Sequence, residues 1–333
     1  MNKIITCASY HGSGSSAISD LLKEFNNCHS CGDYEFRFIQ DPYGISDLEF
    51  HLVENNHRLN SGYFLKKFKK KIDFLSGNRF FRRYEKYFNN KFKIYSYEYI
   101  NNLTNLIWQG EWSQELTESP LFYVQRVLSK IFQLLTNNKE REINILWKNK
   151  LYFSKPKEKF YLYTKNYLDK LFSEINSKKE FILLDQLVPP TNINRYLKYF
   201  SFLKVIIVDR DPRDLYILEK LYWKDNVFPV KNVYDFIEWF KLTREGTDYN
   251  NSNILKIKLE DLIFNYEETL KLINCFLNIG LENHQDKRKY FIPEKSIKNT
   301  RLWKKHTELI KDIKIIEDEL GEYCYSEDKN DIK

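Results

Sequence analysis

The sequence predicts an α/β fold, a parallel sheet with helices on both faces. Three observations carry this: a β-branched run ending in a glycine-serine turn, further short apolar runs late in the chain, and helical spacing of apolar residues behind them. Runs without polar alternation suit strands buried on both sides, the environment of parallel strands.

The elements follow in order. Lys3-Ile4-Ile5-Thr6-Cys7-Ala8 reads as a strand, broken by His11-Gly12-Ser13-Gly14-Ser15-Ser16. Ala17, Ile18, Leu21, Leu22 and Phe25 then recur at helical spacing. Residues 60–180 have a different texture. Lys66–Lys71 is a basic run, Phe80, Phe81, Tyr84, Tyr87 and Phe88 follow it, and Phe160, Tyr163, Tyr167, Leu168, Leu171, Phe172 and Ile175 form a second apolar stripe. This stretch reads as a helical, aromatic- and Lys-rich insertion within a single α/β domain spanning 1–333. Phe181–Asp185 is a buried strand, followed by Pro189-Pro190 and a helix through Tyr196 and Phe200. Val205–Asp209 is the next strand, with Pro212 placed to start a helix. Ile254–Ile257 leads into the amphipathic stretch Tyr266–Leu277, and the charged end, Ser326–Lys333, is expected to fray.

Composition bounds the function. The 333 residues are 42% hydrophobic, which supports a globular chain. No apolar run is long enough for a membrane span, and the first residues lack a secretory pattern, so a cytoplasmic location is expected. The 53 basic and 46 acidic residues leave +7, a balance that suits an anionic partner but is more simply explained by a coding bias towards Lys, Asn, Ile, Tyr and Phe. The five cysteines are an odd number with no secretory signal, which argues against a disulfide framework. Cys28-His29-Ser30-Cys31 has the spacing of a zinc or redox pair, but no second ligand pair follows, so no metal is expected.

Two segments could carry chemistry. A strand feeding Gly12-Ser13-Gly14-Ser15-Ser16 into a helix aims backbone amides and the helix's positive end at one place, which suits a phosphate. An ordinary turn with a serine cap is the plainer reading. The ATP-binding GxxxxGK[ST] and the dinucleotide GxGxxG patterns are absent. The second segment, Val205–Asp214, places Arg210 at the carboxyl edge of the sheet, where open α/β sheets bind ligands. Its guanidinium could grip a phosphate with two parallel bonds, or Arg210 and Arg213 could pair with Asp209, Asp211 or Asp214.

Together these segments resemble the sulfotransferases that move a sulfonate from 3′-phosphoadenosine-5′-phosphosulfate (PAPS) to an acceptor, in particular bacterial carbohydrate-sulfotransferase-like members. Ser13-Gly14-Ser15-Ser16 is similar to the family's SGT[ST] loop, and Val208–Asp214 to its VxRxPRD motif. Leu259-Glu260-Asp261-Leu262 with Glu267-Glu268-Thr269-Leu270 and Cys275-Phe276-Leu277 is similar to a later helix entry, and Ser296–Asn299 with Trp303-Lys304-Lys305 to the C-terminal segment. The resemblance covers the first 35 residues and roughly 180–306; the middle matches nothing.

The resemblance implies a three-layer, P-loop-like parallel sheet. PAPS would be the donor, PAP the product and a hydroxyl of a glycan the acceptor, its site shaped by the 60–180 insertion, with no metal and no nucleic acid. Gly12, Ser13, Gly14, Ser15 and Ser16 would cradle the 5′-phosphosulfate, and Arg210, with Ser296 or Lys298, would hold the 3′-phosphate. Trp303 and Lys304 would lie near the adenosine or its phosphates. Glu35, following the first helix, would be the base, with His11 and Asp33 as substitutes; pairing of Glu35 with Arg37 is the plain alternative. Two positions depart from the pattern: Gly12 replaces the usual Lys or Arg before the loop Ser, so His11, Lys304 or Lys305 would supply that cation, and Leu218 replaces a Ser. Other readings are a P-loop ATP-dependent kinase, and a non-catalytic nucleotide- or nucleic-acid-binding protein whose interleaved basic and aromatic residues stack bases.

Overall fold

The computed structural model describes residues 3–77, 84–110, 112, 121–136, 149–175 and 177–326. The chain divides into two compact units, Met1–Gln40 with Asn176–Lys333, and Asp41–Ile175. The first unit opens with β1 (Lys3–Ser9), α1 (Ser15–Lys23) and β2 (Cys28–Glu35). The second contains α2 (Asn60–Ser76), α3 (Phe92–Leu103), β3 (Leu106–Gly110), α4 (Leu121–Thr136), β4 (Asn149–Phe153) and α5 (Lys159–Ser173). The first unit resumes with β5 (Phe181–Asp185), β6 (Leu203–Asp209), α6 (Pro212–Ile217), α7 (Val233–Arg244), β7 (Ile254–Lys258), α8 (Leu259–Phe264), α9 (Tyr266–Leu277) and α10 (Ile310–Leu320).

The first unit is an α/β fold built on a five-stranded sheet in the order β2-β5-β1-β6-β7, with every neighbouring pair parallel. β1 is central and all of Ile4–Ser9 is buried, as an apolar run covered on both faces requires. Ile18, Leu21 and Leu22 of α1, Phe25 just beyond it, and Leu270, Ile273 and Leu277 of α9 pack with Ile5, Cys7, Ile206 and Val208 in one apolar cluster. A second cluster joins Leu215–Leu218 to Phe236 and Phe240 of α7 and Ile313, Ile316 and Leu320 of α10. The chain leaves β1 towards β2, crosses from β5 to β6 past β1, and ends at β7. The carboxyl ends of β5, β1 and β6 therefore flank the point where the winding reverses, the usual place for a ligand in such sheets.

In the second unit β3 and β4 pair antiparallel, a pairing the sequence did not announce. Most described aromatic residues of the stripes are core, with Tyr87 and Tyr163 half-buried. Tyr84, Phe88, Phe92, Phe160, Tyr167 and Phe172 are buried, Tyr84 stacks on Phe92 at 4.8 Å between ring centres, and Tyr99 stacks on Tyr167 at 4.7 Å. Rings in that state offer no face to a nucleic-acid base. Lys67 lies over the Tyr43 and Tyr63 rings and Lys69 over Tyr97. The expected segment 60–180 overlaps this unit, whose bounds are Asp41–Ile175; Phe80 and Phe81 lie outside the described residues, as do 327–333 of the expected frayed end.

The CxxC pair falls within β2, and both thiols are free. Burial pushes Cys28 and Cys31 up to about 12, away from the thiolate that zinc binding and disulfide exchange need. Among the described residues no group of metal-ligating side chains gathers, and no helix is long and apolar enough to cross a membrane.

Candidate functional site

The loop Tyr10–Ser16 leaves the carboxyl end of β1 through a tight turn. The Ser13 amide donates to the Tyr10 carbonyl at 3.1 Å, and its buried hydroxyl lies 2.8 Å from that carbonyl and 2.6 Å from the Val208 carbonyl of β6. One proton serves only one acceptor at a time, but both positions tie the loop to the sheet. Gly14 caps α1 at φ 103°, and no side chain caps the first turn, which leaves amides there for an anion. Gly12 sits at φ 73°, and a Cβ on it would stand 2.5 Å from the Trp223 ring. The indole, at the end of the π-helical turn Leu218–Trp223, thus excludes the Lys or Arg usual in similar loops. His11 is exposed, with its ring edge-on to Trp223 and Phe228, each at 6.0 Å. Ser16 is exposed and Ser15 half-buried.

The Ser15 hydroxyl donates to Asp185 Oδ2 at 3.2 Å. Asp185 closes β5, is buried, and accepts the Gln186 amide through Oδ1 at 3.1 Å. It was not among the candidates of the sequence, although it ends an apolar run in the same way as Asp209.

Arg210 follows β6. Its guanidinium donates from Nη1 to the Gly12 carbonyl at 3.2 Å and from Nη2 to the Asn299 carbonyl. Three segments chosen from sequence, the loop, Val205–Asp214 and the stretch around Lys298, therefore meet on one side chain. It is only 5% exposed, and Nε has no partner among the described residues. Burial draws its pKa down, opposed by Asp214, Glu260 and Asp211. Those acids do separate work. Asp211 caps α6 by accepting the Arg213 amide at 2.9 Å and pairs with the Arg213 guanidinium at 2.6 Å. Asp214 accepts the Arg301 and Leu302 amides at 2.8 and 2.7 Å, which holds the C-terminal segment beside Arg210. Glu260 accepts the Asp211 amide at 3.0 Å, while Oε2 has no partner among the described residues.

The remaining expected residues are less gathered. Ser296 is half-buried and Lys298 and Lys304 are exposed. Trp303 carries the Arg213 guanidinium over its ring at 4.1 Å and packs against the second apolar cluster. Leu218 is buried in that cluster, so its position has an apolar role rather than a hydroxyl. Glu35 ends β2 opposite Asp185 in register, is exposed, and lies 3.7 Å from Arg37. Asp33 lies within β2. Arg244, which no motif marked, reaches Asp209 in a buried pair at 2.8 Å.

Burial, then the charge of Asp211, raises Glu260 from 4.5 to about 8; burial raises Asp214 from 3.8 to about 6 against the opposing charge of Arg210. Between 4.5 and 8 the native Glu260 holds a proton that the unfolded chain has lost, so this group's contribution to stability falls as pH rises through that interval. Glu260→Gln is expected to flatten that fall, read as urea midpoints at several pH values. Parallel curves for the variant and the parent would refute the assignment.

No protein-family model matches the chain, and no curated protein does. Among solved structures it is similar to a sulfotransferase domain from the curacin biosynthetic pathway, at 13% identity over 85% of this chain and 76% of that one, with a TM-score of 0.38. It is also similar to retinol dehydratase in complex with androsterone and the inactive cofactor PAP, at 14% identity over 89% and 66%, with a TM-score of 0.30. Sulfotransferase STF9 from Mycobacterium avium matches at 12% identity over 90% and 69%, with a TM-score of 0.33.

Proposed function

We propose that this chain is a PAPS-dependent sulfotransferase that sulfonates a hydroxyl of a carbohydrate, an acceptor class supported by the place of Glu35 after the first helix, where glycan sulfotransferases carry a carboxylate base. The observation that supports the reading most is the Arg210 guanidinium, which bridges the Gly12 and Asn299 carbonyls and so joins the phosphate-type loop to the C-terminal segment. The uncapped first turn of α1 supplies amides, and Ser15 and Ser16 supply hydroxyls, for the 5′-phosphosulfate. Arg210, with Ser296 and Lys298 alongside, supplies cation and donors for the 3′-phosphate. Lys304 adds charge on the adenosine side, while one face of Trp303 is taken by Arg213.

In the transfer the acceptor oxygen bonds to sulfur as the bond from sulfur to the 5′-phosphate oxygen breaks, and the acceptor's proton passes to a base. Glu35 and His11 are exposed at the carboxyl ends of β2 and β1, and Asp185 is buried against Ser15 at the end of β5. Positioning and fixed positive charge do the catalytic work, so a metal bridging two phosphates is not required.

Calorimetry with PAP should show tight binding, and labelled PAPS should transfer sulfonate to glycan acceptors in the presence of a metal chelator. Asp185→Asn should keep PAP binding and lose turnover if that carboxylate is the base, with Glu35→Gln and His11→Asn as the parallel tests. Absence of PAP binding would overturn the reading. Strict Mg²⁺-dependent hydrolysis of ATP would replace it with a kinase.

A further inference from the structure

Glu260 stands in the first turn of α8 and is 1% exposed. Its Oε1 accepts the Asp211 amide, and its Oε2 is buried without a partner among the described residues. Its acidic neighbours are better held. Asp211 pairs with Arg213, which also reaches Glu317 at 2.6 Å, and Asp214 accepts two amides. Of the three carboxyls around Arg210, Glu260 is the one with neither an ion pair nor a second amide among the described residues. It is therefore the acid whose ionised form is least compensated.

The charged groups on the elements packed against α8 are engaged elsewhere or face water. Lys256 of β7 pairs with Asp209 at 3.4 Å, and Lys258 donates to the Tyr323 and Cys324 carbonyls. Glu267 of α9 and Glu294 of the short helix Pro293–Ser296 lie 3.9 and 2.6 Å from Arg288. Glu268, Lys271 and Lys295 are exposed. On α8 itself, Asp261 accepts the Tyr325 hydroxyl at 3.0 Å. The charges that act on Glu260 are Asp211, which favours its neutral form, and Arg210, which opposes it.

We propose that Glu260 is a positioning residue for Arg210, and that the bisphosphate donor binds the form in which the Glu260 carboxyl is protonated, with uptake of a proton there. The inference rests on the donor reading above and deepens it. An ionised Glu260 and a 3′-phosphate compete for one guanidinium, whose Nε is buried without a partner among the described residues. The neutral acid leaves that charge to the phosphate, and a dianion bound at Arg210 in turn holds the proton on Glu260 more firmly. Burial, then Asp211, raises Glu260 to about 8 in the free protein, whereas Asp214, at about 6, has already lost its proton there. A phosphate monoester is dianionic by then too, its second pKa being about 6. Affinity for PAP should therefore fall as pH rises through 8. If binding raises Glu260 by one further unit, the affinity at pH 9 is about fivefold below that at pH 7.

Calorimetric titration of PAP into the full chain between pH 7 and 9 tests this, with the pH 8 point measured in both Tris and HEPES. The two buffers differ in ionisation enthalpy, so the difference in heat counts the protons exchanged. The parent should show the fivefold fall and take up a fraction of a proton at pH 8. Glu260→Gln keeps an oxygen for the Asp211 amide and cannot titrate; its affinity should stay flat and its uptake be nil. A merely structural Glu260 would instead shift the affinity of the variant by one factor at every pH and leave the parent without uptake. PAP binding with no uptake by the parent, or with the same pH slope in the variant, overturns the inference and leaves the donor reading standing. No PAP binding at any pH overturns both.

Discussion

Replacing Arg244 by alanine is expected to cost about 3–5 kcal/mol of stability, because it strips the partner from a carboxylate that stays buried. The side chains of Arg244 and Asp209 are 2% and 6% exposed and meet at 2.8 and 3.3 Å. The guanidinium is also stacked between Tyr10 and Phe240, at 3.8 and 3.5 Å from their ring centres. Alanine would leave Asp209 the Arg210 amide at 3.0 Å and, as a charged partner, Lys256 at 3.4 Å and partly solvated, and the Gly12-side loop would lose the brace beneath Tyr10. Lys241 and Glu319 meet at 2.7 Å, closer than the Asp209 pair, yet both are about half exposed. Deleting one of them should cost less than about 1 kcal/mol. Burial, not distance, ranks the two pairs.

The pH dependence gives a second reading of the same variant. Burial pushes the Asp209 carboxyl up, but the bonds and charge of Arg244, with Lys256, outweigh it and hold it below the usual carboxylate range. Its contribution is therefore present above the unfolded pKa and lost as pH falls through the lower native one. The deficit of the variant should be largest near neutrality and shrink in acid. Urea denaturation at neutral and acidic pH measures both, and a neutral-pH loss below about 1 kcal/mol would contradict the account.

The strands that bear the loop and Arg210 were legible because their environment leaves a local mark. β1, β5, β6 and β7 are short apolar runs, each close to the span read from sequence, and Pro212 stands at the first position of α6. α9 matches the amphipathic stretch Tyr266–Leu277. β2 was not read as a strand because Cys28–Glu35 is polar and pairs only with β5, as an edge strand does. β3 and β4 are far apart in sequence, and nothing local in either names its partner. The same holds for the charges. The loop and Arg210 lie in motifs, whereas Arg244, Asp185, Glu24 and His284 are single residues whose partners are supplied only by the topology. Trp223 over Gly12 explains a departure the sequence could only record.

Arg210→Ala is expected to weaken PAP binding about a hundredfold while Arg210→Lys recovers only part of the loss, because two charge-assisted bonds from the guanidinium to the 3′-phosphate, at roughly 1.5 kcal/mol each, amount to about 3 kcal/mol. The planar fork spans the Gly12 and Asn299 carbonyls at once, and an ammonium, a single point of charge, reaches one. Without the bridge, the loop and the 296–304 segment are held together only through separate anchors, Ser13 on Val208 and Asp214 on Arg301 and Leu302. A bisphosphate would then have to order both segments with its own binding energy. The substitution also removes the cation facing Asp211, Asp214 and Glu260. Glu260 should therefore hold its proton to still higher pH, and the stability of the variant should fall over a correspondingly later interval. Calorimetry with PAP separates the two effects, since a purely structural arginine would change the melting temperature and leave the affinity of the folded fraction intact. A folded Arg210→Ala protein that binds PAP as the parent does would remove the guanidinium from the donor site.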